Sequence, residues 1–363
     1  MRHPLVSSLL ALLLMLSLTG AVQARRRYHH RHERRHHHET SSFIQERSFA
    51  PMPDDTSGGA QVLERVHRYS HSNVSPGPKG TKILFVEPGA GIRPVIGALA
   101  SARQSIDLVV YLLTDARVIS ALEQAKDRGV RVRVLLEPHP YGSGPGNRRS
   151  YDKLQQLDIP VRYAPNRFRY THEKAFVIDH HLALISTTNF TRSAFSRNRE
   201  YGYFDSLPAD VREIEGMFEA DWKDQPYFPP DSRLVVSPTN SRRKIVDLIR
   251  SARRFLLIQD ETISDPEVIR AIAQRQAAGV TVRVEVEENR DLDRLQEAGI
   301  PAQKFEGRYL HAKAIVVDGS EAYVGSENLT ANSLDHNREL GVVLKDPVLV
   351  DMLGSIIRSS WHD

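Results

Sequence analysis

The chain contains two copies of a polar motif built from residue types used in nucleophilic and acid–base catalysis. Each copy reads H-x-K-x4-D, and the second follows the first at a distance of 139 residues. The motif residues are His172, Lys174 and Asp179 in the first copy and His311, Lys313 and Asp318 in the second. The same offset relates two Asn-bearing turns, Ser186-Thr187-Thr188-Asn189 and Gly325-Ser326-Glu327-Asn328, and two carboxylates, Glu200 and Glu339. Five residue types recurring in step over 29 positions indicate a duplicated functional site.

These side chains suit the cleavage of a phosphodiester. The ester is anionic and repels hydroxide, so cleavage needs a positioned nucleophile, a proton donor for the leaving oxygen and cations around the phosphoryl oxygens. Two histidines can divide the first two tasks because imidazole titrates near neutral pH, and two lysines supply the charge. His and Lys lie two residues apart in an apolar, β-branched run, and such residues project from the same face of a strand. The sequence therefore predicts an imidazole and an ammonium group side by side on one strand in each copy.

Both copies resemble the paired HKD motifs of the phospholipase D superfamily, and the resemblance extends from about Thr81 to the end of the chain. In that family one motif histidine attacks phosphorus to give a phosphohistidine, and the other protonates the leaving group and then activates water or an alcohol. The resemblance implies that no metal and no other cofactor is used. It also implies two similar halves that face one another about a pseudo-twofold axis.

The resemblance assigns a role to each repeated residue by motif position. His172 would be the nucleophile and His311 the general acid, because family members often use the first motif in that way, although the sequence itself does not distinguish them. The catalytic set would also include Lys174, Lys313, Glu200 and Glu339, the phosphate-binding set Asn189, Asn328, Ser326 and Thr187, and the structural set Asp179 and Asp318. The two glutamates would orient the imidazoles. The family usually has Gly-Ser or Gly-Gly before the Asn, so Ser186-Thr187 departs from its pattern.

The amino-terminal region has the features of an export signal. The chain has 363 residues, no Cys and a 40% apolar fraction, which predicts a soluble protein with one large or two medium-sized cores. A basic start, an apolar run from Leu9 to Leu18 and a Val-Gln-Ala site predict a signal peptide over residues 1–24. The apolar run is short for a bilayer span, so a secreted or periplasmic location is favoured over a retained membrane anchor.

Residues 25–80 are predicted to be an Arg/His-rich tail and a linker. Residues 25–38 hold six Arg and six His, a composition that can bind metal, anionic lipid or nucleic acid, or can simply be solvated. Removing Arg2 and these six Arg lowers the basic count from 49 to 42, against 44 acidic residues once Glu33 is removed from 45. Residues 39–363 therefore carry a net charge of −2, which gives them no general nucleic-acid-binding signature.

The remainder is predicted to be an internal duplication, with halves at 81–230 and 231–363. Pro88, Asp115 and Gly129 recur 150 residues later, whereas Arg169-Tyr170 and Trp222 recur after 139 residues. Each half has the same predicted order of helices and strands, including a helix that Asp115 caps and a closing helix that ends at Trp222. This alternation predicts two similar α/β sandwich halves with crossover connections.

The drop in offset means that the first half carries 11 extra residues, which we place in the Pro- and Gly-rich loop 137–150. We hypothesise that this loop walls the cleft and contributes to substrate preference, with an inert insertion as the alternative.

The preferred function is exported phospholipase D-type hydrolysis of phospholipid head groups, with membrane-surface contact. The alternatives are a secreted nuclease acting on nucleic acid, phosphatidyl transfer to an alcohol, and a catalytically silent phosphate-binding protein. The sequence leaves the oligomeric state open, but both motifs lie in one chain, so a monomer can be active.

Overall fold

A computed structural model describes residues 82–230 and 232–362 of the chain. The predicted signal peptide (1–24) and the Arg/His-rich tail and linker (25–80) lie outside the described residues. Within the described part, no helix is both long and apolar enough to cross a membrane.

The described chain consists of two halves with the same sequence of elements. The first half contains β1 (Lys82–Glu87), α1 (Arg93–Ser101), β2 (Ser105–Val110), α2 (Ala116–Asp127), β3 (Arg131–Leu136), α3 (Arg148–Gln156), β4 (Val161–Tyr163), β5 (Lys174–Ile178), β6 (Leu182–Ser186), α4 (Arg192–Ser196), β7 (Glu200–Asp205) and α5 (Pro208–Trp222). The second half contains β8 (Leu234–Ser237), α6 (Ser241–Ser251), β9 (Phe255–Asp260), α7 (Pro266–Ala277), β10 (Thr281–Val286), α8 (Asn289–Glu297), β11 (Ala302–Lys304), β12 (Lys313–Val317), β13 (Glu321–Gly325), α9 (Ala331–Asp335), β14 (Glu339–Leu344) and α10 (Pro347–Ser360). The duplication predicted from the sequence is thus present in the order of elements.

Each half is built on one seven-stranded mixed sheet. The strand order is β1-β7-β6-β5-β2-β3-β4 in the first half and, read from the equivalent edge, β8-β14-β13-β12-β9-β10-β11 in the second. The strands β2, β3 and β4 are parallel and are joined by helical crossovers, as are β9, β10 and β11. The remaining neighbours are antiparallel, and the motif strands β5 and β12 lie beside β2 and β9 in the centre of their sheets.

Local sequence signals account for the element boundaries. The side chain of Asp115 accepts a hydrogen bond from the backbone N–H of Arg117 at the start of α2, as a helix N-cap does. Asp265 caps α7 in the same way, and Pro266 occupies its first turn. Gly129 and Gly279 follow these two helices with φ values of +87° and +84°, a backbone conformation that glycine adopts without strain.

Three apolar clusters form the core of the described residues. One cluster in each half lies between the sheet and its crossover helices, around residues such as Leu122 in the first half and Ile272 in the second. The third cluster contains residues of both sheets together with those of α5 and α10, for example Ile185, Met217 and Val324. Because this shared cluster belongs to both halves, the two sheets are packed into one folded unit, as the predicted pair of α/β sandwich halves requires.

Candidate active site

The motif segment of each half pairs with the Asn-Arg-Glu segment of the other half. The backbone N–H groups of His172 and Glu173 donate to the carbonyl oxygen of Arg338 at 2.8 and 3.1 Å. In the mirrored contact, the N–H of His311 donates to the carbonyl oxygen of Arg199 at 3.1 Å. These exchanged backbone contacts bring the two copies of the site residues together at the interface between the sheets.

Each motif histidine is held by a glutamate from the opposite half. The Nδ1 atom of His172 lies 2.9 Å from Oε2 of Glu339, and Nδ1 of His311 lies 2.9 Å from Oε2 of Glu200. Both glutamates are fully buried, whereas the histidine side chains are 12% and 10% exposed. A carboxylate that accepts from Nδ1–H leaves Nε2 as the reactive nitrogen and fixes the ring orientation.

The two glutamates are themselves fixed by polar neighbours from their own half. Glu200 accepts hydrogen bonds from the hydroxyl of Thr187 at 2.5 Å and from the side-chain amide of Asn198 at 3.1 Å. Glu339 accepts from the hydroxyl of Ser333 at 2.5 Å and from the amide of Asn337 at 2.9 Å. The Asn of each Asn-Arg-Glu segment therefore positions the Glu, a role that sequence reasoning missed although Asn198 and Asn337 keep the 139-residue offset.

The motif lysines lie at the start of β5 and β12, and the histidines lie just before these strands. The prediction that His and Lys of each motif lie on one strand is therefore wrong for the histidines. Each histidine lies two residues before the first residue of its strand, which is the motif lysine. The ammonium group of Lys174 donates to the carbonyl oxygen of His172, and that of Lys313 donates to the carbonyl oxygen of His311 at 2.6 Å. Each ammonium group is thus placed beside the histidine of its own motif.

The four residues predicted to bind phosphate differ in their hydrogen bonds to the protein. The amide oxygens of Asn189 and Asn328 are buried, and no described residue donates a hydrogen bond to either. The hydroxyl of Thr187 donates to Glu200 and accepts from the N–H of Tyr201 at 2.9 Å, and Ser326 accepts from the N–H of Leu340 at 3.0 Å. The contacts of Thr187 and Ser326 are thus to the protein, and a phosphate-binding role for all four residues stays a prediction.

The motif aspartates bind backbone N–H groups at the far end of the motif strands. Asp179 accepts from Arg103, Gln104 and Ser105 at 2.7–2.8 Å. Asp318 accepts in the same manner at 2.7–2.9 Å from Arg253, Arg254 and Phe255. Both aspartates therefore connect the end of the motif strand to the start of the neighbouring strand, away from the histidines.

Burial sets the charge states around the first motif. Burial is the main cause that lowers the pKa of His172 to about 4, and the positive charges of Lys174 and Lys313 lower it further against the opposing effect of Glu339. Burial also lowers the pKa of Lys174 to about 7. Burial also raises the pKa of Glu87 to about 9 and that of Glu173 to about 8. His172 is therefore neutral at neutral pH, as a nucleophile must be.

Two residues missed by sequence reasoning touch the motif side chains directly. The ring of Tyr111 lies 4.5 Å from the ring of His172 in an edge contact, and Lys174 Nζ lies 5.1 Å from the Tyr111 ring centroid. In the other half, Oε2 of Glu261 lies 2.8 Å from Lys313 Nζ and 3.6 Å from His311 Nε2. The 150-residue offset relates Tyr111 to Glu261, but two different residue types give no repeat signal.

A second missed pair is a matched set of carboxyl groups. Glu137 accepts from the N–H of Thr171, and Glu287 accepts from the N–H of Leu310, each at 2.7 Å. Both acceptors therefore hold the residue just before a motif histidine. They also keep the 150-residue offset, so the repeat could have identified them.

The extra loop of the first half lines a groove of about 900 Å³. The groove is lined by residues 138–140, 144–146 and 148 together with residues of 162–166 and 221–224. The loop also reaches the site, because the N–H of Tyr141 donates to the hydroxyl of Tyr111 at 2.6 Å. The loop thus contacts Tyr111, which in turn contacts His172. The hypothesis that the loop influences substrate preference stays a prediction.

Other polar residues near the motifs have structural contacts. Arg338 is buried and makes a two-pronged ion pair with Asp221 at 2.8 and 2.9 Å, and Arg199 lies over the ring of Phe305. His180 pairs with Glu215, and His336 is exposed. No group of three or more His, Asp or Glu side chains within residues 82–230 and 232–362 could hold a metal ion.

Comparisons with known proteins agree with this geometry. The family model described as "Cardiolipin synthase, PLD-like domain" matches residues 95–222 and 245–361. Cardiolipin synthase B of Salmonella typhi is 25% identical over 321 residues, which cover 74% of this chain and 77% of that protein. Two solved structures share the fold: a polyphosphate kinase from Porphyromonas gingivalis, with a TM-score of 0.65 and 19% identity over 86% of this chain and 50% of that chain, and a phosphatidylserine synthase from Haemophilus influenzae Rd KW20, with a TM-score of 0.60 and 14% identity over 82% and 89%.

Proposed function

Because the chain belongs to the family of phospholipase D-like domains described under cardiolipin synthase, we propose that it transfers a phosphatidyl group to the hydroxyl of an alcohol. The observation that carries the proposal is the crossed pair of His–Glu contacts, which leaves one Nε2 atom from each half for the reaction. The chain is an enzyme of the phospholipase D superfamily that handles phosphodiesters, and the choice between transfer and hydrolysis is the finer step proposed here.

The residues of the site divide the reaction into two balanced displacements. Nε2 of His172 attacks phosphorus, the bond from phosphorus to the leaving oxygen breaks, and His311 gives its proton to that oxygen. Neutral His311 then takes the proton of the entering hydroxyl, whose oxygen bonds to phosphorus as the N–P bond breaks. Lys174 and Lys313 supply positive charge to the phosphoryl oxygens, and Asn189 and Asn328 are placed to assist.

The relatives favour transfer over the hydrolysis that the sequence alone suggested. Cardiolipin synthase B of Salmonella typhi is named as a synthase, and the similarity to it covers 74% of this chain. The family model, which is also described by that name, matches residues 95–222 and 245–361 and so includes both motifs. Hydrolysis uses the same intermediate with water as the acceptor, so it remains the alternative outcome. A nuclease has less support because residues 39–363 carry a net charge of −2.

We also propose that the protein is exported and then acts at a membrane surface. This rests on the basic start, the apolar run and the Val-Gln-Ala site of residues 1–24. Fractionation of cells that produce the full chain would place it in the periplasm, the medium or the membrane, and retention in the cytoplasm would contradict export.

Turnover of phospholipid vesicles tests the transfer reaction. We expect the protein to convert phosphatidylglycerol vesicles into a lipid with two phosphatidyl groups, more than into phosphatidic acid. We expect His172→Ala to lower this turnover by about 10³-fold or more, because the nucleophile is lost. Products would be separated and quantified by mass spectrometry, with single-stranded DNA as a parallel substrate.

His336→Ala is the matched control, because His336 is an exposed histidine two residues from the Asn-Arg-Glu arginine. It should retain wild-type turnover. Phosphatidic acid as the sole product would replace transfer by hydrolysis, and DNA cleavage without lipid turnover would replace both by a nuclease. A His172→Ala variant that kept full activity would refute the phosphohistidine route.

A further inference from the structure

The two halves differ at one position that touches a motif histidine and a motif lysine. Tyr111 and Glu261 follow the last residues of β2 and β9 and are 150 residues apart. Their backbone N–H groups donate to the carbonyl oxygens of Glu173 and Ala312, the residues between His and Lys of each motif, at 3.1 and 3.2 Å. Tyr111 and Glu261 therefore occupy the same place in their respective halves.

In the first half this place is occupied by an aromatic ring. Tyr111 contacts the ring of His172 by its edge, and its hydroxyl accepts from the loop N–H of Tyr141. No carboxylate of the described residues lies within ion-pair distance of Lys174. In its protonated form Lys174 can thus pair with an anionic phosphoryl group beside the nucleophile, without a competing carboxylate.

In the second half the same place carries a carboxylate that faces the reaction site. One oxygen of Glu261 contacts Lys313 Nζ at 2.8 Å and lies 3.6 Å from His311 Nε2, and the other accepts from the hydroxyl of Tyr309 at 2.6 Å. Burial raises the pKa of Glu261, but Lys313 and His311 outweigh burial and hold the pKa below its ordinary value. The Glu261 side chain is 18% exposed, so an ionised carboxylate borders the open space near His311.

The two halves therefore differ in charge next to their motif histidines. The carboxylate of Glu261 offsets part of the positive charge of Lys313, so an anionic phosphoryl group is favoured on the side of His172 and Lys174. The oxygen that leaves or enters must reach Nε2 of His311, within a few ångströms of the carboxylate of Glu261. A carboxylate accepts strong hydrogen bonds from hydroxyl groups and can accept two from neighbouring hydroxyls.

We propose that Glu261 binds the hydroxyl groups of the alcohol that leaves or enters beside His311, and so favours polyols over monohydric alcohols. This rests on the transfer reaction proposed above and adds the acceptor class. The hydroxyl that reacts gives its proton to His311, and a neighbouring hydroxyl of the same polyol donates to Glu261. A monohydric alcohol lacks that second contact.

Competition between alcohols for the phosphoryl-enzyme tests the role of Glu261. A soluble diester, bis(4-nitrophenyl) phosphate, would load the enzyme without any lipid, and glycerol and 1-propanol would be offered at equal hydroxyl concentration. The measured quantity is the ratio of the glyceryl to the propyl phosphodiester product. We expect Glu261→Gln to lower this ratio about tenfold, because a hydrogen bond to a charged group becomes one to a neutral amide.

Two further variants keep the result interpretable. Glu261→Asp retains the charge on a shorter side chain and should give an intermediate ratio. Glu306→Gln removes one charge from an exposed residue near Tyr309 and should keep the wild-type ratio. If Glu261→Gln slowed all products equally and left the ratio unchanged, Glu261 would only hold Lys313, and the inference would be wrong.

A parallel arm with phosphatidylglycerol vesicles separates this inference from the proposed function. A glycerol preference that depends on Glu261 with the soluble diester, without any turnover of the vesicles, would refute the lipid substrate and leave the polyol site standing. Lipid transfer by Glu261→Gln with an unchanged alcohol ratio would refute the polyol site and leave the transfer reaction standing.

Discussion

The charge states of His172 and Lys174 contribute to the pH range over which the site can act. His172 must be neutral to attack phosphorus, and Lys174 must be protonated to stabilise the phosphoryl oxygens. Burial disfavours the charged form of both side chains, so it lowers the pKa of His172 to about 4 and that of Lys174 to about 7. These two shifts act in the same direction and move the active range of the free enzyme toward acid.

We therefore predict a bell-shaped pH profile of kcat/KM with limbs near the two pKa values. Activity should fall as the pH decreases through about 4, where His172 becomes protonated, and as the pH increases through about 7, where Lys174 loses its proton. The profile would be measured with the soluble diester, whose own charge is constant over this range. An acidic limb at or above the ordinary histidine value of about 6.5 would contradict a buried, neutral His172.

The crossed His–Glu pairs show which features of the site the sequence predicts and which depend on the folded structure. The constant 139-residue offset identified both histidines and both glutamates, because duplicated chemistry repeats its residue types. It did not predict that Glu339 serves His172 while Glu200 serves His311, because that pairing depends on how the halves dock. The offset also missed Tyr111 and Glu261, because two different residue types at equivalent positions give no repeat in the sequence.

The loop between β3 and α3 is the element in which the halves differ most. Residues 137–147 form this connection, whereas only residues 287 and 288 join β10 to α8. Asn147 is fully buried and ties the loop to the sheet. Its side chain accepts from the N–H of Leu113 at 2.8 Å and donates to the carbonyl oxygens of Tyr111 and Glu137 at 2.7 and 2.9 Å. The loop is therefore anchored to the same residue that contacts His172.

We predict that Asn147→Ala destabilises the protein by about 2–3 kcal/mol, because three buried hydrogen bonds are lost and the N–H of Leu113 is left without a partner. The free energy of unfolding would be measured by urea denaturation. Asn166→Ala is the control, since Asn166 is exposed on the neighbouring wall of the groove, and it should change stability by less than about 0.5 kcal/mol. Equal effects of the two substitutions would mean that the loop is not anchored through Asn147.

Elements were predictable from the sequence where periodicity and capping agreed. The helix predicted from the Asp115 cap is α2, and the predicted closing helix is α5, which ends at Trp222 as expected. The surplus predicted in 137–150 lies largely in the loop between β3 and α3. The positions of the histidines just before β5 and β12 could not be predicted, because their backbone N–H groups donate to Arg338 and Arg199 of the opposite half.

At the scale of the whole molecule, each half supplies the glutamate that orients the catalytic histidine of the other half. The backbone contacts of Arg338 and Arg199 and the two His–Glu pairs all cross between the halves. A buried ion pair from Arg338 to Asp221 crosses in the same way, and the shared apolar cluster contains residues of both sheets. Separating the halves would therefore expose apolar surface and remove the carboxylate that orients each motif histidine.

This interlocking predicts that two inactive variants will not complement each other. A mixture of His172→Ala and His311→Ala contains every wild-type residue, yet a complete site needs both halves intact within one folded unit. Restored activity would require chains to exchange halves, which the shared cluster opposes. We expect the mixture, assayed with the soluble diester, to be as inactive as either variant alone, while each variant mixed with wild type retains the activity of the wild-type fraction. Activity that rises with time after mixing, together with a dimer on gel filtration, would contradict this prediction and would mean that the halves exchange between chains.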